Sequence, residues 1–160
     1  MDENSTLSSP GVRFPPPLLF VAGIAAGWVL ERAGRSLPIT RAYGAGSTAG
    51  GLALIVAGAA LVAWGMLTFR AARTAIIPSR SARRIVTSGP YRFTRNPMYV
   101  GFTLAYCGAA LLVNSLWPVL LLPIVLMLLV RLVIRREEAY LASAFREEYA
   151  LYRTQVRRWL

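Results

Sequence analysis

The residues with the clearest capacity for chemistry lie in the stretch 87–101, TSGPYRFTRNPMYVG. Asn96 followed by Pro97 predicts a helix start, because an asparagine side chain caps free N–H groups and a proline in the first turn loses no hydrogen bond. The first turn of such a helix readily binds anions. A turn at 88–90 is expected to bring aromatic and arginine side chains to the same point. These side chains are Tyr91, Arg92, Phe93 and Arg95.

A second group of charged residues has the sequence RREEAY at 135–140. Arg131, Arg135 and Glu138 follow the i, i+4, i+7 spacing that predicts one shared helix face. Adjacent carboxylates such as Glu137 and Glu138 are usually an exposed pair in a soluble helix. At a membrane boundary rich in arginine, we instead expect them to be counter-ions or ligand contacts.

The elements that must position both groups are membrane helices. The chain of 160 residues is 56% hydrophobic and only 16% charged, which is too apolar for an ordinary soluble domain of this length. Several segments approach the length of about 20 residues that crosses a hydrocarbon core, and the first and third of them are short. The four predicted spans are 15–30, 48–69, 98–113 and 116–134.

Charge predicts the orientation of these spans. The net charge of +11 rests on 18 arginines, which are better explained as topology determinants in loops than as a nucleic-acid surface. We therefore expect no nucleic-acid partner, and we expect the arginine-rich loop 70–95 and both termini on the cytoplasmic side of the inner membrane. The first ten residues are acidic and polar, so we do not expect a cleaved signal peptide. The loop arginines are Arg70, Arg73, Arg80, Arg83, Arg84, Arg92 and Arg95.

The chain has no histidine and one cysteine, Cys107. This composition excludes catalytic triads with a histidine base, disulfide frameworks and metal sites made of histidine and cysteine. No metal is expected.

Small residues and one amphipathic stretch predict how the helices pack. Gly23 and Gly27 form a GxxxG pair in span one, and glycines at 51, 58 and 65 recur every seven residues in span two. Such stripes let helix backbones approach closely in lipid, which favours a compact bundle. After span four, apolar residues spaced by three and four predict an amphipathic helix at the interface, lying on the lipid or against the bundle. They are Leu141, Phe145, Tyr149, Tyr152, Val156 and Trp159.

Taken together, these motifs resemble the isoprenylcysteine carboxyl methyltransferase and phospholipid methyltransferase superfamily of integral membrane enzymes. That family's pattern is a GPY turn, RHPxYxG or RNPxYxG, a Glu-Glu pair with a following Leu, FGxxYxxY and VxRxxP. The matching residues are Gly89, Pro90, Tyr91, Arg95, Asn96, Pro97, Tyr99, Gly101, Glu137, Glu138, Leu141, Phe145, Tyr149, Tyr152, Val156 and Arg158.

The resemblance implies an all-α membrane bundle of about four transmembrane helices plus a C-terminal amphipathic interfacial helix, in one domain covering 1–160. Residues 1–69 would supply two spans, and 70–160 the cofactor-binding and catalytic half. The implied methyl donor is S-adenosylmethionine, and no G-x-G-x-x-G turn of a Rossmann domain is present. The implied acceptor is a small lipophilic molecule, a carboxylate or an amine, met among membrane lipids. Residues implied to border the cofactor are Tyr91, Arg95, Asn96, Pro97, Tyr99 and Gly101, and those implied to close the site and orient the substrate are Glu137, Glu138 and Arg158.

Three departures from the family pattern carry expectations of their own. Asn96 replaces the histidine of the carboxyl methyltransferase branch, which favours the phospholipid-like and broad bacterial branches. Arg146 replaces the usual glycine, so we expect a straighter helix there. The chain stops at Leu160, one position before the family's proline.

Two other functions remain open at this stage. Membrane sterol reductases resemble the superfamily in their C-terminal half but use a nicotinamide cofactor and have more spans. A bundle without enzymatic activity, whose basic face binds anionic lipid or a partner protein, would also account for the arginines. The oligomeric state is left open.

Overall fold

A computed structural model describes residues 11, 15–34, 36–72 and 85–160. The described part of the chain is helical, and no strand occurs within these ranges. The all-α bundle expected from the sequence is confirmed. Arg73, Arg80, Arg83 and Arg84 of the predicted loop, and the acidic first ten residues, lie outside the described residues. The helices are α1 Pro17–Arg32, α2 Ala45–Ala71, α3 Pro97–Leu112, α4 Leu116–Leu129 and α5 Arg135–Gln155.

Two helical runs are long and apolar enough to cross a membrane: α2 and the continuous run Leu116–Gln155, in which α4 passes into α5. The apolar part of this second run ends at Ile134, where the charged residues begin. Helices α1 and α3 have 16 residues each, about 24 Å at the rise of an α-helix. They are short, as expected from the sequence.

Helices α2 and α3 pack along a seam of glycines. A β-carbon added at Gly108 would lie 2.6 Å from the carbonyl oxygen of Gly51, and one added at Gly101 would lie 2.7 Å from that of Gly58. These distances leave no room for a side chain, so the seven-residue spacing in α2 lets the two backbones touch. The predicted close packing of the glycine stripes is confirmed here.

Helix α1 packs against α4 and α3. A β-carbon added at Gly23 would lie 2.7 Å from Val125, and one added at Gly27 would lie 2.6 Å from the ring of Pro118. The core between the helices contains both aromatic and aliphatic side chains. Its buried members are Phe20, Tyr99, Tyr106, Val125, Leu129, Val133 and Ile134.

The junction of α4 and α5 is a wide π-helical turn, Val130–Ile134. A π turn inserts an extra residue into the helical repeat, so the faces that follow it are rotated. Arg131 and Arg135 are exposed, whereas Glu138 is directed at arginines from other segments. The expectation that Arg131, Arg135 and Glu138 act on one face was therefore wrong, because it assumed an unbroken α-helical period.

Helix α5 is amphipathic, as expected, and lies against the bundle. Tyr149 and Tyr152 are buried on its inner face. The helix bends at Arg146, whose backbone has φ 35° and ψ −106° inside otherwise helical residues. The expectation of a straighter helix at Arg146 was wrong. The chain keeps the bend even though a residue with a β-carbon occupies it.

Candidate functional site

Asn96 and Pro97 mark the start of α3, as predicted from their types. The Asn96 carbonyl accepts the backbone N–H of Val100 at 3.0 Å, but its side chain does not cap the helix. Instead, the Asn96 amide donates to the carbonyl oxygen of Arg158 at 2.9 Å. The predicted side-chain cap is therefore corrected: the bond from its amide nitrogen holds the side chain at Arg158, and its oxygen makes no bond to the first turn. The first-turn N–H groups of α3 receive no bond from this side chain.

Tyr99, in the first turn of α3, reaches the first turn of α5. Its hydroxyl donates to Oε1 of Glu137 at 2.8 Å. Burial raises the pKa of Glu137 to about 7, with the Tyr99 hydrogen bond acting in the opposite direction and the charge of Glu138 adding to the rise. Glu137 therefore exchanges a proton near neutral pH.

Glu138, the neighbouring carboxylate, is held by two arginines. Arg158 donates from Nε to Oε1 at 2.9 Å and from its terminal NH2 to Oε2 at 2.6 Å. An Arg95 terminal nitrogen lies 3.2 Å from Oε1. Two-point arginine contacts of this kind fix the geometry as well as the charge, and the hydrogen bonds to Glu138 raise the pKa of Arg158. The expected counter-ion role is thus seen at Glu138.

Tyr91 lies in the short 3-10 helix Gly89–Arg92, which a positive φ of 59° at Gly89 allows to begin. Its ring packs edge-on against Phe69, with centroids 5.1 Å apart, and its carbonyl accepts the hydroxyl of Tyr152 at 2.8 Å. Burial raises the pKa of the Tyr91 hydroxyl above its usual range. Only Tyr91 Oη and Arg95 Nε, among the side-chain atoms of the described ranges, are buried without a hydrogen-bond partner. Buried polar groups normally have partners, so these two atoms are exceptions to the usual pairing.

The structure brings most of the predicted site residues together, whereas Gly101 faces α2. Asn96, Tyr99, Glu137, Glu138 and Arg158 are linked by direct contacts. Pro97 is fully buried at the first position of α3. Gly101 faces α2, where an added β-carbon would lie 2.8 Å from Val62, so the structure gives it a packing contact. That Tyr91, Arg95, Asn96, Pro97, Tyr99 and Gly101 border a cofactor remains a prediction.

Three residues outside the predicted site set contribute to it. Thr94 is buried, and its hydroxyl donates to the Arg158 carbonyl at 3.1 Å. Tyr149 accepts a long hydrogen bond of 3.4 Å from Arg95, and Tyr152 supports Tyr91. The helical spacing of Tyr149 and Tyr152 already indicated burial. Nothing in the sequence around Thr94 distinguished it from a loop threonine.

No group of three histidine, cysteine or acidic side chains that could hold a metal ion occurs in the described part of the chain. Fold and site together define a helical membrane protein with a charged, hydrogen-bonded site where α3 begins and α5 departs from the apolar bundle. Comparison with known families agrees with this class: the phospholipid methyltransferase family matches residues 47–148. The chain belongs to that family.

Two curated proteins are similar over part of the chain. The chain is 41% identical over 76 residues to the cobalt-zinc-cadmium resistance protein CzcN of Cupriavidus metallidurans, covering 46% of this chain and 35% of that protein. It is 39% identical over 72 residues to protein-S-isoprenylcysteine O-methyltransferase of Schizosaccharomyces pombe, covering 45% and 30%. The matches thus span about a third of the length of these relatives. No solved structure matches the chain significantly.

Proposed function

We propose that this protein transfers a methyl group from S-adenosylmethionine to a small lipophilic acceptor at the membrane surface. Support comes from membership of the phospholipid methyltransferase family and from one observation of the site. Tyr91 Oη and Arg95 Nε are buried without partners among the described residues, beside the linked pair of Tyr99 and Glu137. A polar ligand in contact with these atoms would supply their missing partners.

The residues fit a cofactor of this chemistry. The first-turn N–H groups of α3, which the Asn96 side chain does not cap, and the Arg95 guanidinium suit its carboxylate, and the rings of Tyr91 and Tyr99 suit a sulfonium. When bound, S-adenosylmethionine supplies an electrophilic methyl group. The protein's own task is then to align donor and acceptor and to exclude water, which requires no histidine.

The two carboxylates have different tasks in this proposal. Glu138 is neutralised by Arg95 and Arg158 and keeps the site's walls in place. Glu137, with its pKa near 7, accepts a proton from an acceptor that must lose one, such as an ammonium group. A carboxylate acceptor is already a nucleophile and would leave Glu137 with an orienting task only. Both acceptor classes belong to the proposal.

We propose that the site faces the cytoplasm, with both termini on that side of the inner membrane, since Arg70, Arg92, Arg136 and Arg157 lie at the end of the bundle where the site is. A reporter that is active only in the cytoplasm, fused after Leu160, tests this. An active reporter supports the orientation, and a silent one contradicts it.

The function itself is tested by donor binding and methyl transfer. Calorimetry of the detergent-purified protein with S-adenosylmethionine should give saturable binding, and a labelled-methyl assay with a membrane lipid extract should give a labelled lipid. Binding of a nicotinamide cofactor instead would favour the reductase function. Binding of neither, with affinity for anionic vesicles, would favour a lipid-binding bundle.

The site assignment has a matched pair of variants. Tyr99→Phe removes the hydroxyl that bonds Glu137 and should weaken donor binding roughly tenfold, as loss of a hydrogen bond to a charged group does. Tyr106→Phe removes the hydroxyl of another buried tyrosine, which donates to the Pro118 carbonyl at 2.7 Å, away from the site, and should leave donor affinity unchanged. Equal affinities in both variants would contradict the assignment.

A further inference from the structure

The chain after α5 turns back onto the start of α3. Residues 156–160, here called the C-terminal strap, begin with Val156 in an extended conformation. Three donors from 94–96 bind two consecutive carbonyl oxygens of the strap. Arg95 N–H donates to Arg157 at 2.9 Å, and the Thr94 hydroxyl and the Asn96 amide donate to Arg158 at 3.1 and 2.9 Å.

Two of these three donors belong to buried residues. Thr94 is 2% exposed and Asn96 8%. The Thr94 hydroxyl also accepts the backbone N–H of Asn96 at 3.2 Å, so its orientation is fixed from both sides. A buried hydroxyl or amide that lost its acceptor would keep the cost of its desolvation. The contact is therefore a firm attachment of the strap and not a passing one.

The attachment decides where the Arg158 side chain lies. With its carbonyl held at the start of α3, Arg158 places its guanidinium across both oxygens of Glu138. The next residue, Trp159, packs against the hydrophobic core, which anchors the strap on its other side. Without the Thr94 and Asn96 contacts, the backbone of Arg158 would be held only through its neighbours, Arg157 and Trp159.

We propose that Thr94 and Asn96 are positioning residues for the transfer site: they hold the Arg158 carbonyl so that the Arg158 guanidinium stays on Glu138. This rests on the proposed function and deepens it, because it assigns Asn96 to the strap through Arg158 and adds Thr94 to the site. Glu138 held in this way keeps its charge paired, so that Glu137 and Tyr99 are the polar groups available to a ligand.

The first measurement needs no cofactor. Trypsin cleavage after Arg158 in the detergent-solubilised full chain releases the dipeptide of Trp159 and Leu160, which mass spectrometry quantifies. Thr94→Val removes the hydroxyl while keeping the shape of the side chain. It should release the dipeptide about tenfold faster than the unchanged protein, as loss of one buried hydrogen bond predicts. Thr94→Ser keeps the hydroxyl and should restore the original rate.

A matched control is Thr103→Val. The Thr103 hydroxyl donates to the carbonyl of Tyr99 within its own helix at 2.8 Å, and this variant should release the dipeptide at the unchanged rate. If Thr94→Val did so too, or if Thr94→Ser failed to restore the rate, the attachment would be overturned. Should Thr94→Val not fold, Asn96→Leu against Asn96→His, which retains a donor, makes the same comparison.

The second measurement tests positioning for the reaction. In the methyl-transfer assay, Thr94→Val should raise the KM for the donor severalfold more than it lowers kcat, with Thr94→Ser close to the unchanged protein. If Thr94→Val released the dipeptide faster but left KM and kcat unaltered, the positioning role would be overturned. Absence of donor binding by the unchanged protein would overturn the proposed function alone, since the trypsin result is independent of it.

Discussion

Both ends of the bundle contain carboxylate and amide side chains, but the two ends differ in how completely the hydrogen-bonding groups of these side chains are paired. At the end opposite the site, Glu31 accepts the hydroxyl of Ser115 at 2.7 Å, and Asn114 exchanges two hydrogen bonds of 3.0 Å with the backbone of Thr40. At the site end, Glu138 is equally well paired, but Glu137 is buried with a single tyrosine.

The difference is sharpest in the acidity of the two end carboxyls. Hydrogen bonds from Ser36 and Ser115 hold the pKa of Glu31 below its usual range. Burial raises that of Glu137 to about 7. The hydrogen bonds at the opposite end therefore stabilise the turns there, whereas burial of the Glu137 carboxyl at the site end lowers stability when this group is ionised. Such a cost is typical of functional sites.

The largest expected effect is on the rate of methyl transfer, when a paired carboxylate is replaced at one end of the bundle and, in a second variant, at the other. Glu138→Gln leaves Arg95 and Arg158 without a counter-charge and should lower methyl transfer roughly 100-fold, since small displacements of a positioned site have effects of that size. Glu31→Gln keeps the acceptor for Ser115 at the opposite end and should leave transfer unchanged. Initial rates with labelled donor measure both. Equal losses would mean that the two ends are not functionally distinct.

The next effect is a pH dependence of opposite sign at the two ends. Glu137 has a raised folded-state pKa, so its contribution to stability is present below the ordinary value of 4.5 and is lost as the pH rises through about 7. Glu31 has a lowered one, so its contribution is present above 4.5 and is lost as the pH falls.

Thermal midpoints of the two variants across this pH range separate these contributions. Glu137→Gln should remove a fall of a few degrees between about pH 5 and 8. Glu31→Gln should flatten only the acid side of the profile. A Glu137→Gln profile parallel to that of the unchanged protein would show that this carboxyl has an ordinary pKa.

A smaller effect is expected from the turn that joins α3 and α4. Asn114 has φ 49°, a conformation that asparagine tolerates better than most residues. Asn114→Ala loses both bonds to Thr40 and adds backbone strain, so the free energy of unfolding should fall by about 2 kcal/mol. Asn114→Gly loses the bonds without the strain, so its free energy of unfolding should fall about half as far. Denaturant midpoints measure both, and identical values would remove strain from the explanation.

Local and periodic features of the sequence predicted most of the fold. The apolar runs gave the helices, the Asn96–Pro97 pair marked the start of α3, and the glycines every seven residues predicted the α2–α3 seam. The family resemblance put Glu138 and Arg158 in one site, but neither their direct pairing nor the acceptor of the Asn96 amide was predictable from a local pattern. Both depend on the strap's return to α3, which no local pattern encodes.

Two further errors had one cause, the assumption of a regular helix. The π turn Val130–Ile134 changed the direction of Glu138, and the bend at Arg146 appeared where a residue with a β-carbon favours continuity. The family pattern has glycine at that position, and its replacement by Arg146 led to the expectation of a straighter helix. Residue type alone pointed against a bend, and the burial of Tyr149 and Tyr152 beyond the bend prevailed over local preference.

The smallest expected effect tests whether the backbone at the Arg146 bend is strained. Arg146 is exposed and has φ 35°, which places its β-carbon under strain that glycine lacks. Arg146→Gly should therefore raise the free energy of unfolding by about 1 kcal/mol, whereas Arg146→Ala, which removes the charge but keeps the β-carbon, should not. Chemical denaturation of both variants measures this at the site end, as Asn114 does at the other. If alanine stabilised as much as glycine, charge repulsion among neighbouring arginines would be the cause, and the bend itself would carry no strain.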